Sequence, residues 1–328
     1  KDNIVSLNGK PVQTEIQFKS NIKDSTLYTV QQQYSNNWKY SAANISYGTF
    51  NNTENSWVGF FAPQPSANNT TETASLVTSE GKYDGYTKTI AYDHIPTITY
   101  FPKAKANIIN VGIKIKGKKV GYIVGAGDKV PEALIAMGYK VTTLAEADLT
   151  EQNLKQFDAI VVGIRAYNIY EHLTTKYDVL MDYVKNGGHL IAQYAKSNTV
   201  GSKSIKMGPY PFVVNAGSRV TEEDVKVKYL LPNHPLLNYP NKITDKDFEG
   251  WIQERSTYHA EQIDSHYDAL LGIKDSGDRA EANGSLITTK FGKGNFTYVS
   301  LVLFRQLPAG VPGAYRLMAN IIALGKQK

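Results

Sequence analysis

The chain has 328 residues, 41% hydrophobic and 20% charged, a balance that excludes a disordered tail and a collagen-like fibre. It contains no cysteine, so disulfides, thiolate zinc sites and cysteine nucleophiles are excluded. The net charge is +6. Residues 1–117 hold 11 lysines and 8 acids, and the remainder holds 25 bases and 22 acids, so the excess of positive charge is spread along the chain. This even distribution argues against a nucleic-acid partner.

The first part of the sequence, residues 1–117, has the pattern of an all-β sandwich. Short segments at 15–18, 27–30 and 87–92 carry β-branched and aromatic residues and are separated by Asn, Gly and Pro. No segment in this part keeps a helical period.

A polar tract lies within this part, between residues 25 and 79. It holds only three charged residues and is rich in Asn, Gln, Thr, Ser and Tyr. We interpret it as a solvated sheet face with long loops. The alternative is a carbohydrate-binding face that uses Trp38, Tyr47 and Trp57.

From Lys118 onward strands alternate with helices, which predicts an α/β domain over residues 118–328 with a doubly wound parallel sheet. The predicted strands are 119–124, 139–144, 158–163, 189–194, 285–288 and 296–301. The predicted helices are 131–137, 150–157, 173–185 and one near 313–324. Residues 291–295 read as a hairpin turn rather than a phosphate loop.

The loop Gly125-Ala126-Gly127-Asp128 follows the first strand of this domain. A dinucleotide fingerprint would need a third glycine, and Pro131 falls where that motif requires an open approach. We therefore interpret the loop as a tight turn with Asp128 near the N-terminus of the next helix.

Motifs for zinc-dependent or covalent hydrolysis are absent from the sequence. The six histidines include no i, i+4 pair around a glutamate, and no Gly-x-Ser-x-Gly elbow occurs. His259-Ala260-Glu261 has the form of an amidotransferase dyad, but the chain has no cysteine for it to activate. We assign no cofactor and no metal ligand.

Polar side chains follow the ends of three predicted strands, where doubly wound sheets bind their ligands. A further segment, residues 247–255, combines carboxylates with Trp and Arg, a mixture that suits sugar hydroxyls and the face of a sugar ring. The candidate pocket residues are Arg165, Tyr167, Asn168, Tyr194, Asp247, Trp251, Glu254, Arg255, Arg305 and Gln306.

These residues predict a cleft at the carboxyl edge of the sheet. Its expected borders are Arg165, Tyr194, Glu254, Arg255 and Arg305, with Trp251 as a stacking surface. Because a buried arginine needs a partner, we expect Glu254 or Asp247 to pair with an arginine at these strand ends, Arg165 or Arg305. The alternative is an arginine–glutamate network that only ties loops to the sheet.

Long strings in the second part resemble the C-terminal region of large bacterial LmbE/PIG-L-family deacetylases. The resemblance covers most of residues 90–325, whereas the N-terminal part is similar only as a β-sandwich. The strings are 120–134, 163–168 (Gly-Ile-Arg-Ala-Tyr-Asn), 208–212, 247–255 and 304–317.

The resemblance implies a parent protein that removes acetyl groups from N-acetylglucosamine-like substrates with an Ala-His-Pro-Asp-Asp zinc motif. That motif is absent here, because the only His-Pro is His234-Pro235, followed by two leucines. The resemblance also implies a class I amidotransferase-like, ThuA-like fold. Gly292-Lys293-Gly294 fits that branch, but Phe304-Arg305 stands where its histidine would fall, so neither activity is transferred to this chain.

Three functions remain open at this point. The first is a non-catalytic accessory region that binds glycan or positions the absent deacetylase domain. The second is an independent ThuA-like enzyme acting on sugars, with Asp247, Glu249 or Glu254 as acid or base. The third is a structural or oligomerisation module. We expect the chain alone to have no deacetylase activity.

The expected partners are a carbohydrate ligand and an upstream deacetylase domain of the same parent chain, without nucleic acid. No apolar run is long enough to span a membrane, and the start at Lys1 rather than at methionine indicates part of a longer protein. The absence of cysteine, the Asn/Thr-rich first part and the resemblance favour a periplasmic or extracellular location.

Overall fold

The structure is a computed structural model, and it contains two compact units, Lys1–Gly112 and Ile113–Lys328. It describes residues 3–10, 14–19, 29–34, 46–51, 56–61, 69–78, 81–197, 199–200 and 203–326.

The division between the units falls after Gly112, whereas the sequence places the boundary after Gly117. The connecting segment packs with the second unit: Ile113 is buried, and the N–H of Lys114 donates to Asn241 Oδ1 at 2.8 Å.

The described part of the first unit consists of β-strands. They are β1 (Asn3–Leu7), β2 (Thr14–Lys19), β3 (Thr29–Tyr34), β4 (Ser46–Asn51), β5 (Ser56–Phe61), β6 (Thr70–Thr78), β7 (Gly81–Tyr83), β8 (Lys88–Ile90), β9 (Ile98–Tyr100) and β10 (Lys105–Val111). One sheet has the order β1-β10-β6-β3, with β7 also paired to β6, and a second has the order β2-β5-β4. The strands β8 and β9 form a separate antiparallel pair.

The β-sandwich expected for this unit stays a prediction. The carbohydrate-binding face of Trp38, Tyr47 and Trp57 falls outside what the structure describes: Trp38 is not among the described residues, and only the backbone is described at the other two.

The second unit begins with the alternation that the sequence predicts. Its first elements are β11 (Lys119–Ile123), α1 (Val130–Ala136), β12 (Lys140–Thr143), α2 (Glu151–Leu154), β13 (Ala159–Val162), α3 (Ala166–Ile169), α4 (His172–Thr175), α5 (Tyr177–Lys185) and β14 (His189–Gln193). Short 3-10 helices occur at Glu146–Asp148 and Asp245–Phe248.

Short strand pairs and the last helices follow. They are β15 (Thr199–Val200), β16 (Lys203–Ser204), β17 (Val213–Val214), β18 (Arg219–Val220), β19 (Lys228–Tyr229), α6 (Pro235–Asn238), β20 (Ser256–Thr257), β21 (Ala260–Glu261), β22 (Asp268–Ala269), β23 (Leu271–Gly272), β24 (Leu286–Phe291), β25 (Gly294–Val299), α7 (Leu303–Ala309) and α8 (Pro312–Ala323).

A seven-stranded sheet organises the unit, in the order β12-β11-β13-β14-β25-β24-β22. The five strands from β12 to β25 are parallel, and every residue of β13 and β14 is buried, as expected for strands covered on both faces. The helices form two groups, because α2 contacts α5 while α7 contacts both α1 and α8, and each group reaches β14. The predicted α/β fold is confirmed.

The sheet differs from the fully parallel prediction at one edge, where β24 runs antiparallel to both of its neighbours, β25 and β22. The reason is the turn between β24 and β25, which places Phe291 opposite Gly294 and has Gly292 at a φ of 60°. A turn this short joins only antiparallel neighbours. The helix predicted at 173–185 is also broken in two, because Lys176 leaves the helical region between α4 and α5.

Candidate functional site

The loop after β11 closes the crevice between β11 and β13, where the order of the sheet reverses. The N–H of Ala126 donates to the carbonyl of Ile164 at 2.8 Å, and a methyl group added at Gly125 would overlap that carbonyl oxygen. The Asp128 carboxylate accepts hydrogen bonds from the Tyr122 hydroxyl at 2.7 Å and the Val130 N–H at 2.9 Å. The tight-turn interpretation is therefore confirmed.

Three arginines, a glutamate and two tyrosines meet beside the carboxyl ends of β13, β14 and β25. We call this group the arginine cluster: Arg165, Arg219, Arg305, Glu254, Tyr194 and Tyr258.

Glu254 is the centre of the arginine cluster and is only 2% exposed. Its Oε1 pairs with Nη1 of Arg305, and its Oε2 pairs with Nη2 of Arg219, whose Nε lies 3.2 Å from the same oxygen. The side chains of Arg305 and Arg219 are 34% and 50% exposed. A buried carboxylate is tolerated only when it is paired, and each oxygen of Glu254 has an arginine partner. These pairs hold both guanidiniums in place, while part of each arginine side chain stays in solvent.

Arg165 is connected to the cluster by a backbone hydrogen bond to Tyr194. It lies just beyond β13, and its N–H donates to the carbonyl of Tyr194 at 2.8 Å. Its side chain is exposed, and it acts electrostatically on the Tyr194 hydroxyl, as do Arg305 and Glu254. Burial, together with Tyr258, raises the pKa of Tyr194, and the two arginines oppose that rise.

Aromatic rings form one side of the cluster. Tyr194 stacks on Tyr258 with ring centres 5.1 Å apart and meets Phe304 at 5.3 Å. The guanidinium of Arg305 lies 5.2 Å from the centre of the Phe304 ring.

The backbone around the cluster is strained at three non-glycine positions. Arg165, Gln253 and Tyr258 have φ values of 58°, 68° and 58°, in the left-handed region. Each such position costs roughly 1 kcal/mol in an L-residue, and strain of this kind gathers at ligand sites.

A second site is an open cavity of about 600 Å³ beside the 247–255 segment. We call it the Trp251 cavity. It is lined by Glu223, Asp224, Val225, Lys226, Val227, Asp245, Phe248, Glu249, Gly250, Trp251 and Arg255. The four carboxylates are exposed, whereas Phe248, Trp251 and Arg255 are buried and form the floor.

Arg255 is held in that floor by backbone carbonyls. Nη1 donates to the carbonyl of Phe248, and Nη2 donates to that of Val225 at 3.1 Å. Its guanidinium also lies 5.6 Å from the ring centre of Trp251. Burial lowers the pKa of Arg255, against the attraction of Asp224 and Glu223, and its buried Nε has no partner among the described residues.

The structure therefore divides the single predicted cleft in two. Arg165, Tyr194, Glu254 and Arg305 come together as predicted, but Arg255 and Trp251 line the Trp251 cavity. Trp251 is only 4% exposed and stacks on Phe248, so it offers no open face to a sugar ring.

Neither expected carboxylate pairs with Arg165. Glu254 pairs with the other strand-end arginine, Arg305, and with Arg219, and Asp247 pairs with Arg316 at 2.6 Å.

The other candidates have structural contacts. Buried Gln306 accepts a hydrogen bond from the Ile252 N–H at 2.9 Å and donates to the Ile252 carbonyl at 2.8 Å. Asn168 donates to the carbonyl of Ser197 at 2.6 Å. Tyr167 is buried, and its hydroxyl has no partner among the described residues.

Sequence reasoning misses Arg219, Tyr258 and Phe304. The available signal for Arg219 is that it is one of only six arginines, all in the second unit. Its position becomes evident only when β18 pairs with β20, which sets Arg219 opposite Thr257.

A serine–histidine pair lies close by but is closed to solvent. Ser256 Oγ and His259 Nε2 are 2.5 Å apart, and both residues are fully buried. His259 Nδ1 has no partner among the described residues, so no acid orients the ring as in a catalytic triad. No group of three or more His, Asp or Glu in the described part of the chain is arranged to hold a metal ion.

Comparisons with known proteins give only distant similarity. No protein-family model matches the sequence, and no curated protein does. A β-galactosidase from Rahnella sp. R3 aligns with 63% of this chain and 31% of its own, at 16% identity and a TM-score of 0.39. One from Bacillus circulans sp. alkalophilus aligns over the same shares at 12% identity and a TM-score of 0.36. The chain thus covers less than a third of each of these proteins.

In the described residues no helix is long and apolar enough to cross a membrane.

Proposed function

We propose that the chain is a non-catalytic accessory region of an LmbE/PIG-L-like deacetylase and that it binds glycan in the Trp251 cavity. The proposal includes a ThuA-like, amidotransferase-like second unit, a first unit built as a β-sandwich, and a periplasmic or extracellular location. An upstream domain of the same parent would supply the zinc chemistry.

The observation that carries glycan binding is the composition of the Trp251 cavity. Its volume of about 600 Å³ lies within the usual range of small-ligand sites. The exposed carboxylates of Glu223, Asp224, Asp245 and Glu249 accept hydrogen bonds, which is what sugar hydroxyls donate. The half-buried Val225 and Val227 add apolar side chains to the lining, which suit the ring carbons.

The enzymatic alternative loses two of its three candidate carboxylates. Asp247 and Glu254 are buried in ion pairs with arginines, and only Glu249 is exposed in the cavity. Turnover of aryl glycosides that is lost in Glu249→Gln would support this alternative over the accessory function.

The test is calorimetric titration of the chain with chitotriose and with its de-N-acetylated form, after a glycan array has been used to find binders. Replacing Glu249 by Gln or Asp224 by Asn should raise Kd at least fivefold, since each removes a charged acceptor. The matched control is Glu151→Gln, an exposed glutamate in α2 that does not line the cavity. Absence of binding, or an equal loss in the control, would contradict the proposal, and zinc-dependent acetate release would overturn its non-catalytic part.

A further inference from the structure

We propose that the arginine cluster is a second binding site, separate from the Trp251 cavity, that takes the carboxylate of an acidic saccharide. The carboxylate part stands on the cluster alone, whereas the saccharide part rests on the proposed function.

The charges of the cluster favour an anion. The guanidiniums of Arg219 and Arg305 pair with the single carboxylate of Glu254, and Arg165 adds a third positive charge near Tyr194. Asp275 also attracts Arg219, but its oxygens already accept the N–H groups of Thr221 and Glu222. Even with Asp275 counted, the group keeps an excess of positive charge.

Two of the three guanidiniums, those of Arg219 and Arg305, are held in place before any ligand arrives. Glu254 holds Arg219 and Arg305 from the buried side, so their exposed parts face solvent in fixed positions. Among the described residues, no carboxylate pairs with the exposed guanidinium of Arg165. Because a guanidinium presents parallel N–H donors that match a planar carboxylate, this arrangement suits that group.

The strained backbone supports a ligand site rather than an ordinary surface network. Arg165 and Tyr258 belong to the cluster, and Gln253 directly precedes Glu254, yet all three are non-glycine residues in the left-handed region. Such conformations persist where the surrounding structure must aim particular side chains. The half-buried Tyr258, stacked on Tyr194, adds an aromatic surface and a hydroxyl for the rest of the ligand.

The test titrates the full chain calorimetrically with trigalacturonate, in which every unit carries a carboxylate, so that binding does not depend on register. The comparison ligands are its methyl ester, glutarate and inorganic phosphate. We expect the ester to bind at least tenfold more weakly, and glutarate and phosphate to bind more weakly than trigalacturonate. Arg165→Gln and Arg219→Gln should each raise Kd at least tenfold. Arg279→Gln, an exposed arginine outside the cluster, should change it less than twofold.

Each contrary result overturns a named part. Equal binding of the methyl ester, or unchanged Kd in Arg165→Gln, overturns the site. Binding of phosphate as tight as that of trigalacturonate, with the same dependence on Arg165, overturns the carboxylate assignment. Equal binding of glutarate overturns the saccharide part and leaves the carboxylate site standing. Since the Trp251 cavity contains none of these arginines, loss of chitotriose binding in Glu249→Gln tests the proposed function separately.

Discussion

Removal of both arginines that pair with Glu254 should destabilise the second unit by more than the sum of the two single removals. In Arg219→Gln or Arg305→Gln, the carboxylate keeps one guanidinium, and the lost pair is partly exposed, so we expect about 1 kcal/mol for each. In the double variant a carboxylate with 3% side-chain exposure loses both of its charged partners. Leaving a buried charge without a partner costs about 3–5 kcal/mol.

The expected coupling between the two substitutions is therefore about 1–3 kcal/mol, well above the scatter of additive pairs. Urea unfolding should be followed by the fluorescence of Trp251, in a background where Trp38 and Trp57 are replaced by Phe, because these are the three tryptophans of the chain. The reference variant is Arg279→Gln, whose side chain is exposed and outside the cluster.

An additive double variant, within about 0.5 kcal/mol of the sum, would refute this reasoning. It would mean that Glu254 does not depend on the two arginines for its burial. The arginine cluster would then not be a preorganised group, and the argument for a carboxylate site would lose its geometric basis.

Two further predictions concern buried groups of the second unit. Burial lowers the pKa of His259 from 6.5 to about 4. As the pH falls from 6.5 to 4, the unfolded chain binds a proton at this histidine before the folded chain does, so the folded state loses stability. Between pH 7 and pH 5 the free energy of unfolding should fall by about 2 kcal/mol from this group. In His259→Gln, the fall between the two pH values should be smaller by about this amount. If the variant and the parent lose equal stability, His259 is not the group responsible. Gly284→Ala should lower the free energy of unfolding in urea by about 3 kcal/mol or more, because the added methyl group overlaps the Ala260 backbone. The control is Gly277→Ala, whose methyl group would have no neighbouring atom within 4 Å, and its free energy of unfolding should stay within about 1 kcal/mol of the parent.

The parallel part of the sheet could be predicted from the sequence because its strands are short, apolar and separated by helical patterns. The segment Ala159–Val162 is buried at every position, and only a strand covered on both faces needs such a run. The turn at Asp128 was equally accessible, since a carboxylate just before a helix accepts that helix's first N–H groups.

The antiparallel edge was open to prediction as well. The hairpin turn at residues 291–295 determines the direction of the strands on either side of it, because strands joined by so short a turn cannot be parallel.

The cluster itself could be predicted only in part. Arg165 and Arg305 follow strand ends, so their convergence comes from topology. Arg219 belongs to the two-residue strand β18, whose pairing with β20 has too few residues to leave a pattern in the sequence.

The separation of Glu254 from Arg255 shows why one predicted cleft becomes two sites. These two adjacent residues immediately precede β20, yet their side chains have different partners. Glu254 pairs with Arg219 and Arg305, while Arg255 donates to the Phe248 and Val225 carbonyls. Each is buried, so substituting either would disturb folding as well as binding.

The residues that can report ligand contact are therefore the exposed ones on either side of this segment. They also carry opposite charge: the Trp251 cavity has four carboxylates against Lys226 and Arg255, whereas the arginine cluster has an excess of guanidinium. Opposite potentials select different parts of a ligand. A saccharide carboxylate should thus be repelled from the cavity and attracted to the cluster. This arrangement requires that Arg165→Gln raise the Kd of trigalacturonate and that Glu249→Gln leave it unchanged.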